Sequence, residues 1–243
     1  MPTDTFPRWS MVHLAAAARF LTTLRMRGAH VPLAAATPFF PLVGIAVGCC
    51  GSLVYLLDLP PLLAAMLALA VTALATGALH EDGLADTADG LGGGRDREHA
   101  LAIMRDSSTG SYGALALALS VGTRAAALSV TPEPWLALVA AHAFSRGILP
   151  ALMRRLPAAR AEGLAASAGV PGAVDVAWAL GVAAAVTLLA LGIGAGVVAM
   201  LLAAGAVAIL ARVARRRIGG YTGDVLGAAQ QLAEITVLVV AAA

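Results

Sequence analysis

The chain has 243 residues, of which 60% are hydrophobic and only 12% are charged, and its mean hydropathy is +0.86. This apolar share is far above that of soluble domains, and a formal net charge of +2 gives no reason to expect a nucleic acid partner. Composition therefore excludes an ordinary soluble domain and places residues 1–243 in a lipid bilayer as a single polytopic membrane domain.

The N-terminal segment, residues 1–28, has short apolar stretches that are broken by Arg19, Arg25 and Arg27. A signal peptide would have a longer uninterrupted apolar region. The pattern instead predicts an amphipathic helix that lies on the membrane surface, with basic residues on one side, before the first span.

Seven apolar segments follow, each close to the roughly 20 residues that a helix needs to cross a hydrocarbon core of about 30 Å. The range is six to eight, because the chain around residues 192–196 can be divided in more than one way. The predicted spans are residues 40–58, 61–79, 112–130, 134–152, 173–191, 194–211 and 225–243. The predicted fold class is thus an all-α integral membrane protein, a bundle of about seven transmembrane helices.

Residues 79–90 place four carboxylates at the end of an apolar segment, and seven of the fourteen acidic residues lie within 81–106. If the preceding helix continues, Asp82, Asp86 and Asp89 lie within about 60° of one another on one face. Carboxylates about 5 Å apart repel by roughly 3 kcal/mol, so this stripe should share protons or bind a cation. Oxygen ligands favour Mg²⁺, Mn²⁺ or Ca²⁺. The alternative is a solvated acidic helix end.

A glycine run at residues 90–94 comes next and is followed at once by Arg95. Backbone N–H groups in such a run can approach phosphate oxygens, and arginine adds bidentate charge, although glycine runs also serve as linkers. Further on, Asp106 or Ser107 is expected to cap the third span, whose N-terminus is itself a natural place for a phosphate. Residues 80–111 are therefore predicted to form an acidic, glycine-rich active-site loop.

Several ionisable residues lie in or beside the predicted spans, where charge is costly and indicates function by default. Asp224 is either a helix N-cap or part of a site, whereas Glu234 lies ten residues further into the same span. His142 raises the same question. Arg146 is expected to snorkel to the nearby end of its span, and Arg124 is either structural or snorkelling.

The distribution of arginine predicts the orientation. All sixteen basic residues are arginine, and ten of them lie in three loops that seven spans would place on one side. We call residues 80–111, 153–172 and 212–224 the three arginine-rich segments. The opposite loops contain none, so the positive-inside rule places the arginine-rich segments in the cytoplasm and the chain in the cytoplasmic membrane.

Five motifs together resemble those of the cobalamin synthase family, the adenosylcobinamide-GDP ribazoletransferases, in order along nearly the whole chain. They are HEDGLADTADG at 80–90, GGRDRE at 93–98, IMRDS at 103–107, GSYGALAL at 110–117 and GGYTGDVLGA at 219–228. The first and the last are the most specific. The chain departs from the family at Ser108, where a basic residue is frequent.

The resemblance implies a Mg²⁺-dependent phosphoryl transfer. A hydroxyl of α-ribazole, or of its 5′-phosphate, attacks the phosphate on the cobinamide side chain of adenosylcobinamide-GDP. GMP leaves, and adenosylcobalamin or its 5′-phosphate forms. Such chemistry needs a divalent cation, counter-charge for phosphate oxygens and a carboxylate that orients the hydroxyl.

Roles for individual residues follow from this chemistry. Asp82, Asp86 and Asp89 are the predicted metal ligands, with Asp106 as a further ligand and Glu81 as the base. Predicted substrate-binding residues are Arg95 and Arg105, which would clamp the diphosphate, together with Ser107, Arg146 and Asp224. Because the resemblance makes both motifs candidates for one site, Asp224 is expected to lie near the Asp82–Asp89 face, with Glu234 deeper in the bundle.

Two other functions share parts of this pattern. A CDP-alcohol phosphotransferase also mounts aspartates around a divalent cation, but its pattern has Ala-Arg after the first Asp-Gly, whereas Leu84 and Ala85 follow Gly83 here. A cation- or proton-coupled transporter would explain intramembrane charge, yet the carboxylates crowd a loop rather than the midplane. The sequence leaves open whether the chain forms a homo-oligomer.

Overall fold

The computed structural model describes residues 9–25 and 31–243, and within them the regular structure is helical apart from an isolated β-bridge between Ala158 and Tyr221. The α-helices of this part of the chain are α1 Met11–Leu21, α2 Leu33–Ala36, α3 Phe40–Ser52, α4 Pro61–Thr76, α5 Leu79–Gly93, α6 Arg97–Ile103, α7 Ser111–Val130, α8 Pro134–Gly147, α9 Leu149–Arg155, α10 Leu164–Ser167, α11 Ala173–Ile218 and α12 Gly223–Ala241. The predicted all-α fold class is confirmed.

The predicted N-terminal surface helix corresponds to α1, which buries Ala17 and Leu21 and leaves Arg19 exposed. One apolar face therefore packs on the bundle while a basic residue faces outward, as the sequence pattern indicates. The remainder of the predicted segment lies partly outside the described residues, which exclude 1–8 and 26–30.

Five helical stretches of the described chain are long and apolar enough to cross a membrane, and α4 and α5 together form a bent sixth. The 46 residues of α11 would extend about 69 Å as one straight helix, more than twice the hydrocarbon core. Its backbone leaves helical geometry at Gly192 (φ 76°, ψ 166°), and a Cβ on Gly196 would lie 3.2 Å from the Cα of Leu188. The chain therefore reverses at Gly192, and counting both arms gives seven passes, in agreement with the predicted bundle of about seven.

The helix before the acidic segment does not continue straight into it. Gly77 and Ala78 both have left-handed backbone angles (φ 65° and 55°), which end α4, and α5 begins at Leu79 after a bend of 91°. Left-handed geometry costs a non-glycine residue about 1–2 kcal/mol, so the surrounding packing must hold Ala78 in place. Residues 80–111 are mostly helical, in α5 and α6, rather than an irregular loop.

The three arginine-rich segments contact one another at one end of the bundle. Arg97 Nε donates to the carbonyl of Ile218 at 3.0 Å, and Arg160 Nη2 donates to the carbonyl of Leu101 at 3.0 Å. The β-bridge joins the same segments through the backbone. The structure thus confirms that the three segments lie together on one side of the bundle. Their cytoplasmic orientation stays a prediction.

At the centre of the bundle is the pair α8 and α9, which covers Pro134–Arg155. Within its most apolar window 83% of residues are buried, compared with 22% for α11. Polar side chains on α8 are therefore enclosed by other helices rather than by lipid, which bears on His142 and Arg146 below.

Candidate active site

The acidic motif and the GGYTGDVLGA motif meet where α5 crosses α12. A Cβ on Gly83 would lie 2.8 Å from the carbonyl oxygen of Asp224 and 3.1 Å from the Cα of Gly227, so this crossing requires glycine. Two segments about 140 residues apart in sequence therefore touch through their backbones. The expected proximity of Asp224 to the acidic face of α5 is confirmed.

Three carboxylates gather at this crossing, and we call Asp82, Asp86 and Asp224 the acidic cluster. Asp82 is exposed and the other two are half-buried. The negative charges of Asp82, Asp224 and Asp89 repel the carboxylate of Asp86. The positive charge of Arg160 attracts it. Arg160 Nη2 lies 3.9 Å from Asp224 Oδ2. Negative charge thus exceeds positive charge at a position that water and ions can reach.

Arg160 belongs to the loop after α9 and was not predicted as a site residue. Burial lowers the pKa of its guanidinium from the ordinary value, and the nearby carboxylate of Asp224 opposes that shift. Arginine keeps its charge in proteins, so Arg160 supplies a fixed cation beside the acidic cluster. The sequence signal was weak, because Arg160 was one of ten arginines that the topology already explained.

Asp224 is not the N-cap of α12. That position is occupied by Thr222, whose hydroxyl oxygen accepts a hydrogen bond from the N–H of Val225 at 3.3 Å. The Thr222 hydroxyl also donates to Asp224 Oδ2 at 3.0 Å. The cap alternative for Asp224 is therefore removed, and its carboxylate is not needed to begin the helix.

Asp89 has a structural partner of its own. Its two oxygens accept hydrogen bonds from the backbone N–H groups of Gly110 at 2.7 Å and Gly113 at 2.9 Å, and the side chain is buried. Asp89 therefore caps the start of α7 from a neighbouring helix. The expectation that Asp106 or Ser107 provides this cap is wrong.

The predicted metal ligands do not form a ready-made site. Among the described residues, no group of three His, Cys, Asp or Glu side chains is arranged to hold a metal ion. Asp82 and Asp86 face the α5–α12 crossing, whereas the carboxylate of Asp89 is bound to α7. The metal role of the three aspartates stays a prediction.

Asp106 is exposed and turns back on its own segment. The hydroxyl and the N–H of Ser108 both donate to Asp106 Oδ1, and these hydrogen bonds hold the pKa of the Asp106 carboxyl below its usual range. Ser108, the position that departs from the family pattern, is thus engaged with Asp106. Ser107 is exposed beside them.

The glycine run allows two helices to pack closely and does not form an open loop for phosphate. Most of it lies inside α5, where a Cβ on Gly90 would lie 2.5 Å from Met104 Cγ and one on Gly94 would lie 2.5 Å from Ala100 Cβ. The glycines therefore allow α6 to pack on α5. Arg95 and Arg105 are exposed at this end of the bundle, and the positive charge of Arg105 repels the guanidinium of Arg160.

A second group of charges lies deeper, and we call Glu81, Arg124, His142, Arg146 and Glu234 the buried ion cluster. Arg124 Nη1 contacts Glu234 Oε1 at 2.8 Å and Glu81 Oε1 at 3.3 Å. Glu234 Oε2 lies 3.1 Å from His142 Nδ1 and 3.6 Å from Arg146 Nη1. Ion pairs thus connect four helices, α5, α7, α8 and α12, inside the bundle.

This cluster changes three expectations. Arg146 does not snorkel, because it is 1% exposed and α9 continues to Arg155 beyond it. Arg124 is structural rather than snorkelling, since it is paired and buried. Glu81 accepts hydrogen bonds from Arg124 and Gln231, so it faces the buried ion cluster and not the acidic cluster.

Two cavities border α5. A cavity of about 180 Å³, the apolar pocket, lies at the α5–α12 crossing, and its lining is Phe20, Leu21, Leu79, His80, Asp82, Gly83, Leu149, Leu164, Gly223, Asp224, Leu226 and Gly227. A wider cavity of about 540 Å³, the polar pocket, lies at the other end of the helix, and its lining is Asp89, Gly93, His99, Ala102, Ile103, Asp106, Ser108, Gly110, Ser111 and Tyr112.

Comparison with known proteins identifies this arrangement. Residues 13–242 match the family model described as Cobalamin-5-phosphate synthase. The chain belongs to this family. It is 53% identical over 242 residues to the adenosylcobinamide-GDP ribazoletransferase of Bradyrhizobium diazoefficiens, covering 95% of this chain and 93% of that protein. The expected resemblance is confirmed.

Other relatives agree. The adenosylcobinamide-GDP ribazoletransferase of Mesorhizobium japonicum is 48% identical over 218 residues, covering 86% of this chain and 83% of its own length. That of Rhizobium johnstonii is 44% identical over 213 residues, covering 82% of each chain. No solved structure matches this chain. The two most specific family motifs are therefore the segments that cross at Gly83 and Gly227 in this family fold.

Proposed function

We propose that this membrane protein transfers the phosphocobinamide group of adenosylcobinamide-GDP to α-ribazole or its 5′-phosphate, releasing GMP and forming adenosylcobalamin or its 5′-phosphate. The names of relatives up to 53% identical support this reaction. The observation that carries it in the structure is the meeting of the two family motifs at the acidic cluster, beside Arg160 and two cavities. Phosphoryl transfer depends on positioning and electrostatic stabilisation, which such a site can supply.

The acidic cluster fits Mg²⁺ by its chemistry. Its donors are carboxylate oxygens, it is partly exposed, and its negative charge exceeds the positive charge of the adjacent Arg160. Although the described residues hold no three carboxylates already arranged as a metal site, we assign Asp82, Asp86 and Asp224 to hold the ion, so that Asp224 takes the place of Asp89 in the predicted set. When bound, Mg²⁺ would neutralise charge on the phosphate oxygens.

The chain's own residues complete the site. Arg160, held between Asp224 and the carbonyl of Leu101, offers its guanidinium to a phosphate oxygen, and the exposed Arg105 adds charge nearby. A carboxylate of the acidic cluster orients the attacking hydroxyl. This role passes from Glu81 to the cluster, because Glu81 is already bonded to Arg124 and Gln231.

Purified protein in detergent should release GMP only when both adenosylcobinamide-GDP and α-ribazole are present. Removing divalent cations with EDTA should lower this release by about a hundredfold, and excess Mg²⁺ should restore it. Release is measured by chromatography of the products. A CDP-alcohol phosphotransferase would instead release CMP from a CDP-alcohol, and that result without GMP release would overturn the proposed function.

The arginine-rich segments should face the cytoplasm of the inner membrane, where nucleotide substrates occur. We expect Ser108→Cys, in a Cys49→Ala/Cys50→Ala background, to resist an impermeant thiol reagent that is applied outside intact cells. Asp58→Cys, in an exposed loop at the opposite end, is the matched control and should be labelled. Labelling of Ser108→Cys but not Asp58→Cys would reverse the orientation and the proposed location of the reaction.

A further inference from the structure

The apolar pocket differs from the polar pocket in wall chemistry and in size. Phe20 and Leu21 of α1, Leu149 of α9 and Leu226 of α12 form much of its wall, and three of these four side chains are buried. The polar side chains of its lining are His80, Asp82 and Asp224, and the last two belong to the acidic cluster. The pocket therefore offers an apolar enclosure directly beside the proposed reaction site.

Its volume limits the ligand. At about 180 Å³ the cavity is smaller than the roughly 300–1,000 Å³ of sites for whole drug-sized ligands. It suits one fused ring rather than a complete nucleotide or a corrinoid. A base that carries several exocyclic polar groups would lose its hydrogen bonds to water here without gaining others, which disfavours such a base.

We propose that the apolar pocket is the subsite for the aromatic base of the acceptor nucleoside, an inference that rests on the proposed function. The benzimidazole ring of α-ribazole has few polar atoms and would lie against Phe20, Leu149 and Leu226. Its ribose would then extend toward Asp82 and Asp224, which places a hydroxyl at the acidic cluster. The polar pocket, three times larger and lined by Asp106, Ser108 and His99, remains for the hydrophilic donor.

Leu164 is the position at which the proposal can be tested without touching the acidic cluster. It lies on α10 at the rim of the apolar pocket and is 37% exposed. Its side chain already approaches Gly223, where an added Cβ would lie 3.1 Å from Leu164 Cδ2. A larger side chain at this exposed position can extend into the pocket without disturbing a buried core residue.

We expect Leu164→Trp to raise the KM for α-ribazole about tenfold or more, and to leave the KM for adenosylcobinamide-GDP within about twofold. Calorimetric titration of α-ribazole alone should show the same weakening of its Kd, which separates binding from turnover. Val170→Trp, at another exposed position of the same segment, is the matched control and should change neither constant. Phe20→Ala removes a ring from the wall and is a second variant, also expected to weaken α-ribazole.

The outcomes distinguish the subsite from the reaction. Unchanged affinity for α-ribazole in both folded variants, or a selective loss of donor affinity, would overturn the subsite while GMP release by the unaltered protein still supports the reaction. Binding of α-ribazole that Leu164→Trp weakens, without GMP release by the unaltered protein, would retain the subsite and overturn the proposed function.

Discussion

Replacing Asp82, Asp86 or Asp224 with Asn is expected to lower GMP release by about a hundredfold or more at limiting Mg²⁺. Each substitution keeps the shape of the side chain and removes one charged oxygen ligand from a site that has few others. All three side chains are at least partly exposed, so the variants should remain folded. Initial rates of GMP release, measured beside thermal unfolding in the same detergent, test this expectation.

Two aspartates outside the acidic cluster provide comparison variants. Asp58→Asn, at an exposed turn of the opposite end, should change neither rate nor stability, because Asn also tolerates its left-handed backbone (φ 49°). Asp89→Asn should lower stability by about 1 kcal/mol or more, since it weakens the cap of α7. Near-normal turnover in two of the three cluster variants would remove the metal assignment.

The composition of this cluster shows what the sequence could and could not predict. The i, i+4 spacing correctly placed Asp82 and Asp86 on one face, because this depends only on helical geometry. Asp89, at i+7, lies on the same predicted face, but its partners are the backbone N–H groups of Gly110 and Gly113 at the start of α7, which helical spacing does not indicate. The sequence could indicate Asp224 only through topology and the family motif, and the glycine crossing at Gly83 then explains the close approach.

The helix boundaries show the same division. Hydropathy located the apolar segments, since the bilayer fixes their length. The sharp bend before α5 was not predicted, because Ala78 adopts a left-handed conformation that its residue type disfavours. The arginines of residues 153–172 indicated only the orientation of the chain, yet Arg160 in this segment reaches both Leu101 and Asp224. Such contacts depend on tertiary structure and leave little local signal.

The sequence showed the members of the buried ion cluster only as single charged residues in or beside predicted spans. Each charge inside a span indicated a functional or paired group, but nothing in the sequence assigned the partners. Glu234 of α12 contacts Arg124 of α7 and Arg146 of α8, and Arg124 also contacts Glu81 of α5, so these ion pairs join the four helices. The two guanidiniums and the two carboxylates balance in formal charge, so the removal of any one of them leaves a charge without its partner.

Glu234→Gln is therefore expected to destabilise the protein by about 3–5 kcal/mol, the cost of removing one partner from a buried ion pair. The amide leaves two buried guanidiniums with the single carboxylate of Glu81. Since Glu81 is on α5, one residue before Asp82, the loss should also shift the acidic cluster and lower turnover. Thermal or denaturant unfolding in detergent measures the stability, and GMP release measures the turnover.

A second substitution separates the charge imbalance from a loss of packing. Arg124→Gln in the Glu234→Gln background restores the charge balance, so the double variant should be more stable than the sum of the two single losses predicts. Glu133→Gln, an exposed glutamate beside Trp135, is the matched control and should have little effect. If the Glu234→Gln variant unfolds at the same temperature as the unaltered protein, the ion pairs contribute nothing to holding α5 against α12. The alignment of the acidic cluster would then depend on the other contacts between α5 and α12, chiefly the close approach of Gly83 to Gly227 and the hydrogen bond from Gln231 to Glu81.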